Sequence, residues 1–207
     1  APLVFTYHTK FDVDVAKLIR GKLLQESALY LLASNISACD EVWVVSRGAG
    51  ENLRSIGYKG DYHVMENGVD VPRGRVSDEA IAAATGRYDL PQNVPVFLFV
   101  GRLMWYKGIR IILDALKTLR EKNVDFRMVF VGEGADGAEI RSYAEERKLS
   151  DRCFFTGAIS DREIIRAWYG RSDLLLFPST FDTNGLVVRE AAACGLASVL
   201  IAGSCAA

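Results

Sequence analysis

Hydrophobic and polar positions along the chain follow two alternating rhythms. Past Pro95, short and uniformly apolar runs recur: "VFLFVG" at 96–101, "FRMVFVG" at 126–132, "CFFTG" at 153–157, "DLLLFPS" at 173–179 and "ASVLIA" at 197–202. Between them lie helical patterns, the first placing Ile109, Ile112, Leu113, Leu116 and Leu119 on one face. "ADGAEIRSYAEERKL", "DREIIRAWYG" and "GLVVREAAACG" follow in the same way. Runs this apolar suit strands covered on both faces, and their alternation with helices predicts a parallel sheet of βαβ units. The expected class is α/β, with Rossmann-like doubly wound parallel sheets.

The N-terminal part repeats the theme more loosely, with "PLVFTYH", a helical stretch over about 13–38, "EVWVVS", a short helix and "YHVMENGVD". From Val71 to Pro95 the chain is richer in Gly, Pro and polar residues than its flanks and reads as a crossing between units. The expected division is 1–70, the end of one Rossmann-like domain, 71–95, the crossing, and 96–207, a second Rossmann-like domain. Both units look short of strands, so the expectation is an internal fragment of a larger two-domain protein.

Composition narrows the function. With 207 residues, 50% of them hydrophobic, the chain can bury a substantial core. A formal net charge of -1 with interspersed signs gives no footprint for a nucleic-acid partner. Cys39, Cys153, Cys194 and Cys205 form no C-x-x-C pair, which argues against a zinc site or disulfide framework and for free, mostly buried thiols in a cytoplasmic protein. No apolar run approaches the ~20 residues of a membrane span, so any membrane is expected to be touched from outside.

Three loops carry candidate chemistry. "GEGADG" at 132–137 satisfies the G-x-G-x-x-G fingerprint of a dinucleotide-binding oxidoreductase or epimerase. Glu133, Asp136 and Glu139 would crowd a pyrophosphate there, and the next strand lacks an acid for the ribose, so a tight strand-to-helix turn is the better reading. "FVGRLMWYKG" at 99–108 puts Arg102 and Lys107 ahead of a helix, where ligands of open α/β sheets bind and where the helix dipole disfavours cations unless an anion joins them. A diphosphate fits. "FDTNGLVVRE" at 181–190 sets Asp182 and Glu190 around a helix start, with Asn184 as expected N-cap, Gly195 as terminator, and the N–H groups of Gly185 and Leu186 facing an anion. The carboxylates are then left to accept from neutral hydroxyls, such as those of a ribose and a hexose. Taken alone, Glu190 reads equally well as a solvated helix residue, Arg102 as surface, and His8 as a satisfied polar residue.

Together "ENGVD", "FVGRLMWYKG", "VGEG", "FFTGAIS", "SDLLLFPST" and "FDTNGLVVREAAACG" resemble the retaining GT-B glycosyltransferases of glycosyltransferase family 4 over nearly the whole chain. The last segment resembles that family's E-x7-E motif, with Asp182 where the family usually has Glu. The resemblance implies a nucleotide-diphosphate sugar as donor and a glycan or lipid hydroxyl as acceptor. Arg102 and Lys107 would neutralise the departing diphosphate, Glu190 hold the ribose, the backbone at Ile159 contact the base, and Asp182, Asn184, Gly185 and Leu186 address the sugar and phosphates. His8 would position the donor sugar. No metal or other cofactor would be required, and peripheral membrane contact would come through residues preceding this chain. The 207-residue chain alone is expected to be inactive.

Overall fold

The computed structural model describes residues 1–206, apart from the Lys17 side chain. The chain forms two compact units, one of Ala1–Gly68 with Phe181–Gly185 and Gly203–Ala206, the other of Val69–Thr180 with Leu186–Ala202.

The first unit holds a three-stranded parallel sheet, β1 (Val4–Tyr7), β2 (Glu41–Val44) and β3 (His63–Val64), in the order β1-β2-β3. The helical stretch expected over 13–38 is two helices, α1 (Phe11–Leu18) and α2 (Lys22–Ser37), separated at Ile19–Gly21. Helix α3 (Arg47–Ser55) is capped by Ser46, whose hydroxyl accepts from the Ala49 N–H at 3.0 Å. Tyr7, Ile36, Val42, Val44, Ala49 and Leu53 make the core. The run "YHVMENGVD" contributes only the two residues of β3, exposed at the sheet edge, where little apolar surface is gained by extending the ladder.

The second unit opens with α4 (Asp78–Thr85), so the span 71–95 contains a helix as well as loop. Ser77 caps it, and Ile81 packs with Val76 and Ala167. Five parallel strands follow: β4 (Val96–Val100), β5 (Arg127–Val131), β6 (Cys153–Gly157), β7 (Leu174–Phe177) and β8 (Ser198–Leu200). The helices between them are α5 (Ile109–Glu121), α6 (Gly137–Glu146), α7 (Arg162–Arg171) and α8 (Leu186–Ala193).

The strand order is β6-β5-β4-β7-β8. The chain winds outward from β4 through β5 and β6, then returns to the other side of β4 for β7 and β8. This reversal between β4 and β7 is the topological switch point at which open α/β sheets leave a crevice beyond their carboxyl ends. The predicted face of α5 is the buried one, with Ile109, Ile112, Leu113 and Leu116 packed on Phe99, Met128 and Phe130. Burying each such side chain is worth about 1.5–3 kcal/mol. Among the described residues no helix is long and apolar enough to cross a membrane.

Candidate functional site

In the second unit, the loops leaving β4 and β7 meet at the switch point. After β4, a short 3-10 turn (Trp105–Lys107) ends at Gly108, which sits in the left-handed region with φ 79°. Its α-carbon faces Pro178 so closely that a Cβ there would lie 2.6 Å from the Pro178 carbonyl oxygen. The cation-bearing loop is thereby held against the exit of β7.

Arg102 and Lys107 both lie over one ring. The Arg102 guanidinium is 6.0 Å and the Lys107 ammonium 5.6 Å from the Tyr106 centroid. The ring's negative face partly offsets the repulsion of two cations held on one short loop. Arg102 is exposed and Lys107 half-buried.

The neighbouring glycine turn explains itself. The Gly101 N–H donates to the Val131 carbonyl at 3.0 Å, and the Leu103 N–H to the Glu133 carbonyl at 3.0 Å. A Cβ on Gly132 would meet the Gly101 carbonyl at 2.0 Å, and one on Gly134 the Leu103 carbonyl at 2.4 Å. Asp136 accepts from the Trp105 N–H at 2.8 Å, and Glu139 from the Trp105 indole N–H at 3.0 Å. The glycines of "GEGADG" thus serve close backbone contact, and Asp136 together with Glu139, two residues past the motif, braces the cationic loop, which accounts for the motif without a dinucleotide.

Glu190, half-buried in α8, accepts from the Tyr169 hydroxyl at 2.9 Å. Tyr169 is 1% exposed, and burial together with the Glu190 charge pushes its phenol far above its ordinary value of 10.0. Leu186 opens α8 and is exposed. Gly195 closes the helix as expected: the Leu196 N–H donates back to the Ala191 carbonyl at 2.9 Å, a Schellman closure. Ile159, on the loop after β6, lines a separate cleft of about 450 Å³ with Ala83, Arg87, Ser160 and Trp168.

The first unit gathers the remaining predicted residues. Phe181–Gly185 packs there, and the Thr183 hydroxyl donates to the His8 carbonyl at 2.8 Å. The Ser46 hydroxyl donates in turn to the Thr183 carbonyl. His8, exposed at the end of β1, is therefore tied to the segment that carries Asp182, Asn184 and Gly185.

Asn184 departs from expectation. It is 7% exposed, and neither its Oδ1 nor its Nδ2 finds a hydrogen-bond partner among the described residues, so it does not cap α8 through its side chain. Leaving buried polar groups unpaired costs about 1–3 kcal/mol each. An amide kept in that state is suited to an incoming hydroxyl, which can both donate and accept.

Sequence reasoning missed Ser46, Thr183 and Tyr169. The capping role of Ser46 is legible in a serine ahead of a helical pattern. Its tie to Thr183 spans 137 positions and leaves no local signal. All four cysteines are free, with Cys153 and Cys194 buried and Cys39 and Cys205 only partly so. The described residues contain no cluster of His, Cys, Asp and Glu able to hold a metal ion.

Comparison with known proteins places this geometry in context. The family model described as glycosyl transferases group 1 matches residues 82–207. The D-inositol 3-phosphate glycosyltransferase of Xylanimonas cellulosilytica is 31% identical over 207 residues, covering 94% of this chain and 48% of that protein. The alpha-monoglucosyldiacylglycerol synthase of Streptococcus pneumoniae is 23% identical over 198 residues, covering 94% of this chain and 45% of that protein. The crystal structure of Anabaena Alr3699/HepE in complex with UDP-glucose superposes with a TM-score of 0.79 at 21% identity, covering 99% of this chain and 54% of that one. The fold is that of GT-B glycosyltransferases. The chain spans about half the length of the curated relatives it matches.

Proposed function

Because the chain belongs to the glycosyl transferases group 1 family, we propose that it is the donor-binding part of a retaining glycosyltransferase that moves a hexose from a nucleotide-diphosphate sugar to a hydroxyl of a glycan or lipid. The observation that carries this reading is the pair of cations, Arg102 and Lys107, gathered on Tyr106 at the switch point of the second unit's sheet. Support for a nucleotide-sugar comes from the UDP-glucose complex of the Anabaena protein, and for a polyol or lipid acceptor from the names of the two relatives.

In this reading Arg102 and Lys107 take up the charge that develops on the diphosphate as the glycosidic bond breaks. Fixed donors aimed at developing charge are worth about 3–4 kcal/mol each. Two side-chain cations make a divalent metal unnecessary, and undiminished transfer in excess chelator is the result expected of an active, longer form of the enzyme. Glu190 accepts from the ribose hydroxyls, and the backbone at Ile159 contacts the base. Asp182, Asn184, Gly185 and Leu186 address the transferred sugar and the phosphates, while His8 orients that sugar. The acceptor hydroxyl attacks an oxocarbenium-like centre from the face the diphosphate leaves, so configuration is retained without a protein nucleophile. A cytoplasmic enzyme working at a membrane face fits a lipid acceptor. The 207-residue chain, half the length of its relatives, is proposed to bind donor without completing transfer.

The test is a thermal-shift screen of UDP-, GDP- and ADP-sugars and the free diphosphates, followed by calorimetry on two variants. Glu190→Ala should weaken the nucleoside diphosphate and the intact donor alike, by roughly ten- to a hundredfold. Asp182→Ala should weaken only the intact donor, with Asp182→Glu tolerated best. Equal losses for both ligands in the Asp182 variant, or none in the Glu190 variant, would overturn the assignment. Product anomer analysis by NMR on an active, longer form of the enzyme decides retention against inversion.

A further inference from the structure

A glutamate on a helix turns about three side-chain bonds, so a carboxylate that must meet a ribose needs something to hold it. Glu190 stands in the second half of α8, half-buried, and nothing in its sequence surroundings fixes its rotamer. The structure supplies the restraint from another helix. Tyr169, in the last turn of α7, is sealed in the core of the second unit with 1% of its surface exposed, and its hydroxyl reaches Glu190 Oε2 at 2.9 Å.

We infer that Tyr169 is a positioning residue for Glu190: its buried hydroxyl grips Oε2 and leaves Oε1 to accept from the sugar hydroxyls of the nucleotide. The inference rests on the ribose-binding role proposed for Glu190 and adds the device that makes the role precise. A carboxylate has lone pairs enough for both partners, since each oxygen accepts up to two hydrogen bonds. Tyr169 can only serve as the donor in this contact, because an ionised Glu190 has no proton to give. Burial and the neighbouring negative charge both keep the phenol protonated at any working pH. The ring itself cannot swing away, because it is packed in the interior. Its rigidity is therefore passed to the carboxylate, which reduces the side-chain entropy that binding would otherwise remove.

Tyr169→Phe tests this, since it keeps the ring and the packing and deletes one oxygen. The probe is UDP, or GDP where the donor screen selects it, compared with the 2′,3′-dideoxy form of the same diphosphate. Calorimetry on the 207-residue chain should show Tyr169→Phe weakening the ribose-bearing ligand roughly three- to tenfold and leaving the dideoxy ligand unchanged. In a Glu190→Ala background the same substitution should have no further effect on either ligand. Equal loss for the two ligands would mark Tyr169 as merely structural and overturn the inference. So would an unchanged affinity in Tyr169→Phe when Glu190→Ala does weaken the ribose-bearing ligand. If Glu190→Ala weakens neither ligand, the ribose reading itself falls, and the role of Tyr169 falls with it.

Discussion

Replacing Gly108 by alanine should destabilise the second unit more than the same change at Gly195, although both glycines have nearly the same backbone. Gly108 has φ 79° and Gly195 φ 81°, so each alanine pays the left-handed penalty of about 1–2 kcal/mol. Their surroundings differ. A Cβ at Gly195 meets nothing within 4 Å, whereas one at Gly108 would stand 2.6 Å from the Pro178 carbonyl oxygen and 2.9 Å from its Cγ. To reach ordinary contact the two loops must separate by roughly 0.8 Å. Forcing such a shift in a packed region costs typically ~1–3 kcal/mol. Gly195→Ala should thus cost about 1–2 kcal/mol and Gly108→Ala about 2–5 kcal/mol, the difference isolating the contact with Pro178. Urea unfolding followed through the fluorescence of Trp105 and Trp168 measures both. Because the shift also moves Lys107 away from the exit of β7, the Gly108 variant alone should lose affinity for a nucleoside diphosphate. Equal unfolding costs in the two variants would refute the claim that the β4 and β7 loops are clamped at this point.

Three further outcomes are expected. Arg102→Ala and Lys107→Ala in an active, longer form of the enzyme should depress kcat more than donor affinity, because the diphosphate gains charge in the transition state; Lys107→Arg should restore only part, and a change confined to KM would count against the role. Asn184→Ala should leave thermal stability unchanged or raised without ligand, since it removes two unpaired buried groups, yet reduce the stabilisation conferred by UDP-glucose; a clear loss of stability in the free protein would show the amide to be structural. Burial raises the Cys153 thiol from 9.0 and the Tyr7 phenol from 10.0, each to about 12, so their contribution is fully present below the lower values and is lost as pH rises through about 12; urea midpoints should fall across that window, less steeply in Tyr7→Phe, and a flat profile would contradict it.

The sequence by itself determined the parallel α/β class, because strands buried on both faces must be apolar throughout and "VFLFV", "RMVFV" and "LLLF" are so. It also determined α5 and its inner face, since helical periodicity records burial directly. The cationic loop after β4 and the glycine that closes α8 were legible for the same reason: local geometry at strand and helix ends restricts which residues fit. What the sequence left undecided depends on contacts between distant positions. The break at Ile19–Gly21 turns on Gly21, whose φ of 99° suits glycine and whose signal inside a helical pattern is local, whereas the brevity of β3 follows from its exposed place at the sheet edge. Asn184 reads as a helix cap, yet its surroundings bury both its polar atoms without partners. "GEGADG" reads as a nucleotide turn until Gly132 and Gly134 are seen pressed on the carbonyls of Gly101 and Leu103. Tyr169 reads as one more apolar position of α7, and only the tertiary structure brings its hydroxyl to Glu190, 21 residues away. Periodicity encodes which face of an element is buried; which polar atoms then meet is fixed by how the elements pack, and that decided the partners of the candidate site.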